Sequence, residues 1–244
     1  MYRIVKCLLL GAWVLFFLSG CSLLEFFLGP EEEKYPQEII AEGIQDLQRG
    51  RYKSAVEAFQ NIKDRYPYSK YAIIAELKMA DALYLQKEYD LAYEAYDEFE
   101  KLHPKNEDIP YVIYQKGMCQ FVQIKTIDRE QDHTRNAQQE FERLVRRFPR
   151  DDYANRARRH IRKCLIFLAE YELYVGHYYF KRGYYQAALG RYLYIMENYP
   201  DMGQYHEALE YISKCKEKIA EQRAKEDKKE DKKEERTATA AESS

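Results

Sequence analysis

Four prolines, Pro67, Pro104, Pro149 and Pro200, impose a frame that few folds can satisfy. Twelve residues before each stands alanine: Ala55, Ala92, Ala137 and Ala188. Eight before stands an aromatic residue, Phe59, Tyr96, Phe141 or Tyr192, and five before a large apolar one, Ile62, Phe99, Leu144 or Ile195. The residue just before each proline is Tyr66, His103, Phe148 or Tyr199. Steps of four and three put the first three columns on one face of a helix. Proline then ends that helix, because it lacks the N–H that the ladder needs. Four copies of one pattern predict a repeat architecture in which each unit is one supersecondary element.

Upstream of each patterned helix lies a second helical stretch: "EIIAEGIQDLQRG", "YAIIAELKMADALYLQ", "YVIYQKGMCQFVQ" and "YELYVGHYYFKRG". Gly50 and Gly183 follow two of them and fit left-handed caps. Small residues, Gly43, Ala80 and Gly176, stand 24 before proline in three copies, and the third copy keeps Gly117. They mark where paired helices approach closely. The pairs resemble the 34-residue tetratricopeptide repeat, lengthened here because the prolines are spaced by 37, 45 and 51 residues. The proline-free segment after Asp151 predicts an extra helix running on, or nearly on, into the fourth pair. "QYHEALEYISKCKEKIAEQ" adds the first half of a fifth. The expected fold is an all-α solenoid of about five helical hairpins over residues 37–218. Neighbouring pairs cover one another's apolar faces and leave a concave surface for extended peptides or other domains.

The segments outside the repeats have different roles. Residues 1–20 read as a secretory signal: Arg3 and Lys6, an apolar run, then small residues. "LSGC" resembles a bacterial lipobox and makes Cys21 the lipidation site, with residues 21–36 as a lipidated tether. Residues 219–244 are charged and small, and are expected to be disordered or, in their first part, a solvated single helix. The remaining cysteines, Cys119, Cys164 and Cys215, are far apart within helical patterns and are expected as small buried side chains, not disulfides or metal ligands.

No catalytic motif is present: no HExxH, GxSxG, P-loop or Gly-rich dinucleotide turn. Neither catalysis, a cofactor nor a metal is expected, and a net charge of −2 argues against nucleic acid as a partner. His177 reads as a packed core histidine, and Asp151-Asp152 as a helix cap. Residues 143–163 hold nine Arg or Lys, either a solvated helix face or a dock for an acidic partner or lipid head groups. Arg191 stands nine before proline, where earlier copies have Ala58, Ala95 and Glu140. It reads as an interface anchor together with Arg182, or as half of an ion pair with Glu197 or Glu172. The N-terminal tyrosines, among them Tyr52, Tyr68, Tyr71 and Tyr84, are candidates for a groove that takes an extended, aromatic-ended peptide.

The lipobox together with "GRYKSAVEAFQNIKDRYPYSKYAIIAELKMADALY", "YVIYQKG" and "LAEYELYVGHYYFKRGYYQAA" resembles the BamD family of outer-membrane assembly lipoproteins over about residues 18–218. The resemblance implies a non-enzymatic periplasmic scaffold, held at the outer membrane by its lipid. It implies that the C-terminal repeats bind the POTRA region of the BamA-type barrel subunit, and that the N-terminal ones help receive unfolded outer-membrane proteins. Arg182 and Arg191 match the family's Arg pair, the second being an interface residue. Other assembly lipoproteins are possible further partners. The rival readings are another periplasmic repeat lipoprotein coordinating cell-wall or division proteins, and an envelope hydrolase that uses the repeats as a platform. The second would need a coupled nucleophile and base that the sequence does not supply.

Overall fold

A computed structural model describes residues 34–200 and 202–242. The signal segment, Cys21 and most of the tether lie outside the described residues. Nine helices follow one another among the described residues: α1 (Pro36–Gln48), α2 (Tyr52–Arg65), α3 (Ala72–Leu85), α4 (Tyr89–Leu102), α5 (Ile109–Phe121), α6 (Asp132–Arg147), α7 (Asp152–Lys181), α8 (Tyr185–Asn198) and α9 (Tyr205–Glu242). Each packs on the helix before and the helix after it, and α1 also meets α3 as α5 meets α7. That pattern is a stack of hairpins, a tetratricopeptide-repeat solenoid: four complete pairs and the opening helix of a fifth.

The proline frame explains where the second helix of each pair stops. α2, α4, α6 and α8 each end two residues before their proline. Their caps, Tyr66, His103, Phe148 and Tyr199, share one conformation, with φ of −131°, −124°, −133° and −133°. Proline's ring excludes the residue before it from the helical region. The alanine, aromatic and apolar columns are all buried, and they supply the largest enclosed side chains of each unit. The small residues facing them are required. A Cβ on Gly43, Gly117 or Gly176 would stand 2.6, 2.5 or 2.6 Å from the ring of Phe59, Phe141 or Tyr192.

The short turn between paired helices passes through a left-handed position in three of the four pairs. Gly50 (φ 74°) and Gly183 (φ 82°) fill it in the first and fourth pairs, and Lys87 takes it at φ 68° in the second. The expected extra helix is confirmed as one unbroken 30-residue helix, α7. Its first half packs as the partner of α6 and its second half as the partner of α8. Asp151 caps it by accepting the Tyr153 N–H at 2.7 Å. The charged segment after residue 218, expected as a disordered tail or at most a solvated helix, continues α9 through Glu242. No Gly or Pro follows Gly203, and Ala, Glu, Lys and Arg are strong helix formers. Cys119, Cys164 and Cys215 are free and buried, and burial pushes the Cys119 and Cys164 thiols up to about 12. His177 packs against Tyr211 and Tyr192, 4.4 and 5.8 Å between ring centres, as a core histidine would.

Candidate functional site

Two kinds of surface follow from this stack, one between successive second helices and one along the first helices. Between α6 and α8, over the middle of α7, lies a recess of 610 Å³ lined by Arg135, Glu172, Tyr179, Ala187, Gly190, Arg191 and Tyr194. Glu172 is buried in its floor, and Arg191 Nη1 donates to its Oε2 at 2.9 Å. Of the two sequence-level readings of Arg191, the ion pair with Glu172 is therefore formed. It does not use up the guanidinium, whose side chain keeps 42% of its exposure. The hydrogen bond to Glu172 raises the Arg191 pKa, so the group is a fixed cation at any physiological pH. Arg182 lies elsewhere: it caps α7, with its guanidinium 4.6 Å above the Tyr178 ring. Arg182 is at the end of α7 and Arg191 midway along α8, and Arg182 does not line the recess.

Gly190 gives the recess its depth. It sits inside α8, where glycine costs about 1 kcal/mol relative to alanine. Unlike Gly43, Gly117 and Gly176, it has nothing within 4 Å of an added Cβ. Packing does not require it. Its lack of a side chain instead leaves open the space beside Arg191.

The second surface is a cleft of 510 Å³ on the side of the first helices, where Ile73, Ile74, Leu77 and Lys78 of α3 face Tyr111 of α5 and Tyr153 of α7. Ile73 and Ile74 keep 41% and 47% of their exposure. Beneath them a buried carboxylate ties three helices together. Asp81 accepts hydrogen bonds from Tyr96 at 2.8 Å and Tyr111 at 2.6 Å, and pairs with Lys78 at 2.8 Å. Sequence reasoning missed this cleft, although α3 carries the signal. One of its faces packs through Ala72, Ala75 and Met79, while Ile73 and Ile74 point elsewhere. A helix that is apolar on two faces has a second surface to cover.

The four tyrosines expected to line a client groove are dispersed. Tyr68 is fully exposed in the turn between α2 and α3. Tyr71 precedes α3, with Lys70 5.1 Å above its ring. Tyr52 opens α2 beside the Gly50 turn. Tyr84 packs edge-on to Tyr89 at 5.4 Å against the core, and burial pushes its hydroxyl up to about 12. None of the four lines the Ile73–Tyr153 cleft. Among the described residues no group of three His, Cys, Asp or Glu could hold a metal ion, and no helix is long and apolar enough to cross a membrane.

A family model described as YfiO, outer membrane lipoprotein, matches residues 32–231. The outer membrane protein assembly factor BamD of Neisseria meningitidis serogroup B is 30% identical over 197 residues, 77% of this chain and 74% of that protein. BamD of Caulobacter vibrioides is 32% identical over 178 residues, 73% of this chain and 58% of that protein. BamD of Vibrio cholerae is 26% identical over 210 residues, 82% and 86% of the two chains. Among solved structures, the first tetratricopeptide-repeat domain of human RPAP3 aligns with a TM-score of 0.43 at 18% identity, covering 56% of this chain and 94% of that one. With two-thirds of its length and more inside the family match, the chain belongs to the BamD family of outer membrane protein assembly factors.

Proposed function

We propose that this chain is a non-enzymatic scaffold lipoprotein for the assembly of outer-membrane β-barrels. It is anchored through Cys21 to the periplasmic face of the outer membrane and holds the POTRA region of the barrel-forming subunit at the recess between α6 and α8. The observation that carries the reading is the pairing of Gly190 with Arg191. A mid-helix glycine with no packing role keeps space open beside a guanidinium that is half held by Glu172 and half exposed. A carboxylate from a partner, seated over Gly190, would complete the guanidinium's coordination in a desolvated pocket, as arginine anchors do at interfaces. The Ile73–Tyr153 cleft supports the second part of the role, reception of unfolded outer-membrane proteins. Its half-open form, with Ile73, Ile74 and Leu77 beside Lys78, Asn106, Glu107 and Asp108, suits alternate side chains and main chain of an extended strand.

The test must separate the interface from the fold. Reversing Arg191 would set a second carboxylate against Glu172, so Gly190→Leu is the cleaner probe. It extends into the recess from a position where an added Cβ meets nothing within 4 Å. The expected outcome is unchanged helical content and a thermal midpoint that does not fall, with co-purification of the barrel subunit reduced about tenfold or more. Normal co-purification by Gly190→Leu would remove the recess as the binding site.

A further inference from the structure

Eight of the nine cations of residues 143–163 lie on helices, Arg150 being in the turn between them, and they divide into two groups that the fold treats differently. Those on α6 are answered by carboxylates. Arg143 meets Glu100 at 2.6 Å and Glu140 at 2.6 Å, Arg147 meets Glu100 at 3.0 Å, and Arg146 meets Glu142 at 3.3 Å. Those on α7 are not. From Tyr153 to Ala169 the helix carries no Asp or Glu. Arg156, Arg158, Arg159, Arg162 and Lys163 are all exposed, and among the described residues none forms an ion pair, Asp152 one turn earlier included. At 100° per residue the five occupy one side of α7, opposite the buried Ala154, Ala157 and Cys164. Along the axis they span about 10 Å.

Two of the guanidiniums are already held in place. Arg156 lies 5.2 Å above the Tyr153 ring. Arg158 donates to Asn155 Oδ1 at 2.6 Å and to the Pro149 carbonyl at 2.8 Å. Neutral partners fix these heads without cancelling their charge, which reduces the ordering cost of binding a carboxylate. Four of the five are arginine, whose fork matches a carboxylate in two bonds and which is enriched at protein interfaces, where lysine is depleted. No large apolar residue is exposed between residues 123 and 173. The face therefore has nothing to insert into a bilayer, as surface-lying membrane helices do.

We propose that the outward face of the first half of α7 docks an acidic polypeptide segment, at a site separate from the recess around Arg191. The occupant is a stretch of Asp or Glu in extended or helical form, laid along Arg156, Arg159 and Lys163 and flanked by Arg158 and Arg162.

The direct test uses the full chain in mild detergent with a fluorescent peptide of about ten glutamates, read by anisotropy at low and moderate salt. The triple variant Arg156→Glu, Arg159→Glu, Lys163→Glu should bind about tenfold more weakly, and added salt should narrow the difference. Arg146→Glu on α6, whose charge Glu142 already answers, should change binding less than twofold. The neutral triple Arg156→Gln, Arg159→Gln, Lys163→Gln repeats the measurement without adding repulsion, and circular dichroism verifies both folds. Equal binding by wild type and both triples overturns the proposal. So does a loss of binding to phosphatidylglycerol vesicles with peptide binding unchanged, which would make the face a membrane contact. A photo-crosslinker at position 159 in living cells gives the decisive localisation. Adducts within an acid-rich protein segment support the proposal, and adducts to lipid or to acid-poor segments overturn it.

Discussion

The junction between the second and third repeats and the junction between the third and fourth lie at equivalent places in the stack. Glu140 and Arg191 occupy the same column, nine residues before their prolines. At the earlier junction the charges close on themselves. The buried Lys116 ammonium sits 2.5 Å from Asp97, 3.3 Å from Glu100 and 3.6 Å from Glu140, and Arg143 grips Glu100 with two nitrogens at 2.6 and 2.9 Å. Burial pushes the Glu100 carboxyl up, but Arg143 and Lys116 more than offset it and hold that carboxyl below its usual range. Tyr93 donates to Glu140 at 2.8 Å and offers its ring face to Lys116. At the later junction Glu172 in the floor pairs, among the described residues, with Arg191 alone, Gly190 leaves space beside the pair, and much of the Arg191 side chain stays in water. The first arrangement uses all its charge to hold neighbouring repeats together. The second leaves charge exposed, as the proposed interface requires and a seam does not.

The largest effect expected from this contrast is on stability. Lys116→Met removes the ammonium from among three carboxylates and should destabilise the fold by about 3 kcal/mol, as removal of one partner of a buried ionic network does. Arg191→Gln keeps a donor for Glu172 and should cost about 1 kcal/mol. Urea unfolding of the two variants measures both. Equal losses would mean that Arg191 is as structural as Lys116, and the contrast would fail.

How much of this was legible in the sequence depends on how far apart the interacting residues lie. The proline frame, the buried columns and the Gly50 and Gly183 turns are local patterns, and the structure realises each of them. The long α7 was legible too, because nothing in its sequence interrupts a helix. The Arg191–Glu172 pair spans two helices, and only the α7–α8 crossing selects Glu172 over Glu197. The tyrosines were the least legible. Tyrosine has an apolar body and a polar tip, so the same residue serves as core at Tyr84 and as fully exposed surface at Tyr68. The cleft over Ile73 and Ile74 went unseen because α3, apolar on two faces, shows that a second surface exists but not which elements face it. The α5 and α7 residues opposite, Tyr111 and Tyr153, lie far along the chain.

A second pair of substitutions sharpens the contrast through glycine. Gly117→Ala puts a methyl 2.5 Å from the Phe141 ring. That ring cannot retreat, since it is stacked on His160 at 5.1 Å and packed by Tyr114 and Phe121. The expected cost is about 2 kcal/mol. Gly190→Ala meets open space and should stabilise α8 by up to about 1 kcal/mol. Opposite shifts in thermal midpoint would show that one glycine serves packing and the other does not. A destabilising Gly190→Ala would return Gly190 to the structural side.

The smallest effect tests whether the second repeat, which supplies much of the closed charge network, is optimised throughout. Lys87 takes the left-handed position that Gly50 and Gly183 take in their repeats. A side chain there brings Cβ against the following carbonyl, at a cost of about 1 kcal/mol. Lys87→Gly relieves that strain but gives the unfolded chain more freedom, which returns part of the gain. A net stabilisation of about 0.5 kcal/mol is expected, with helical content unchanged. Gly183→Lys, the reverse change in the fourth repeat, should cost a similar amount. If Lys87→Gly destabilised the protein instead, the lysine would be making a contact that outweighs its backbone strain. The second repeat would then rely on that turn, as well as on its ionic network, for cohesion.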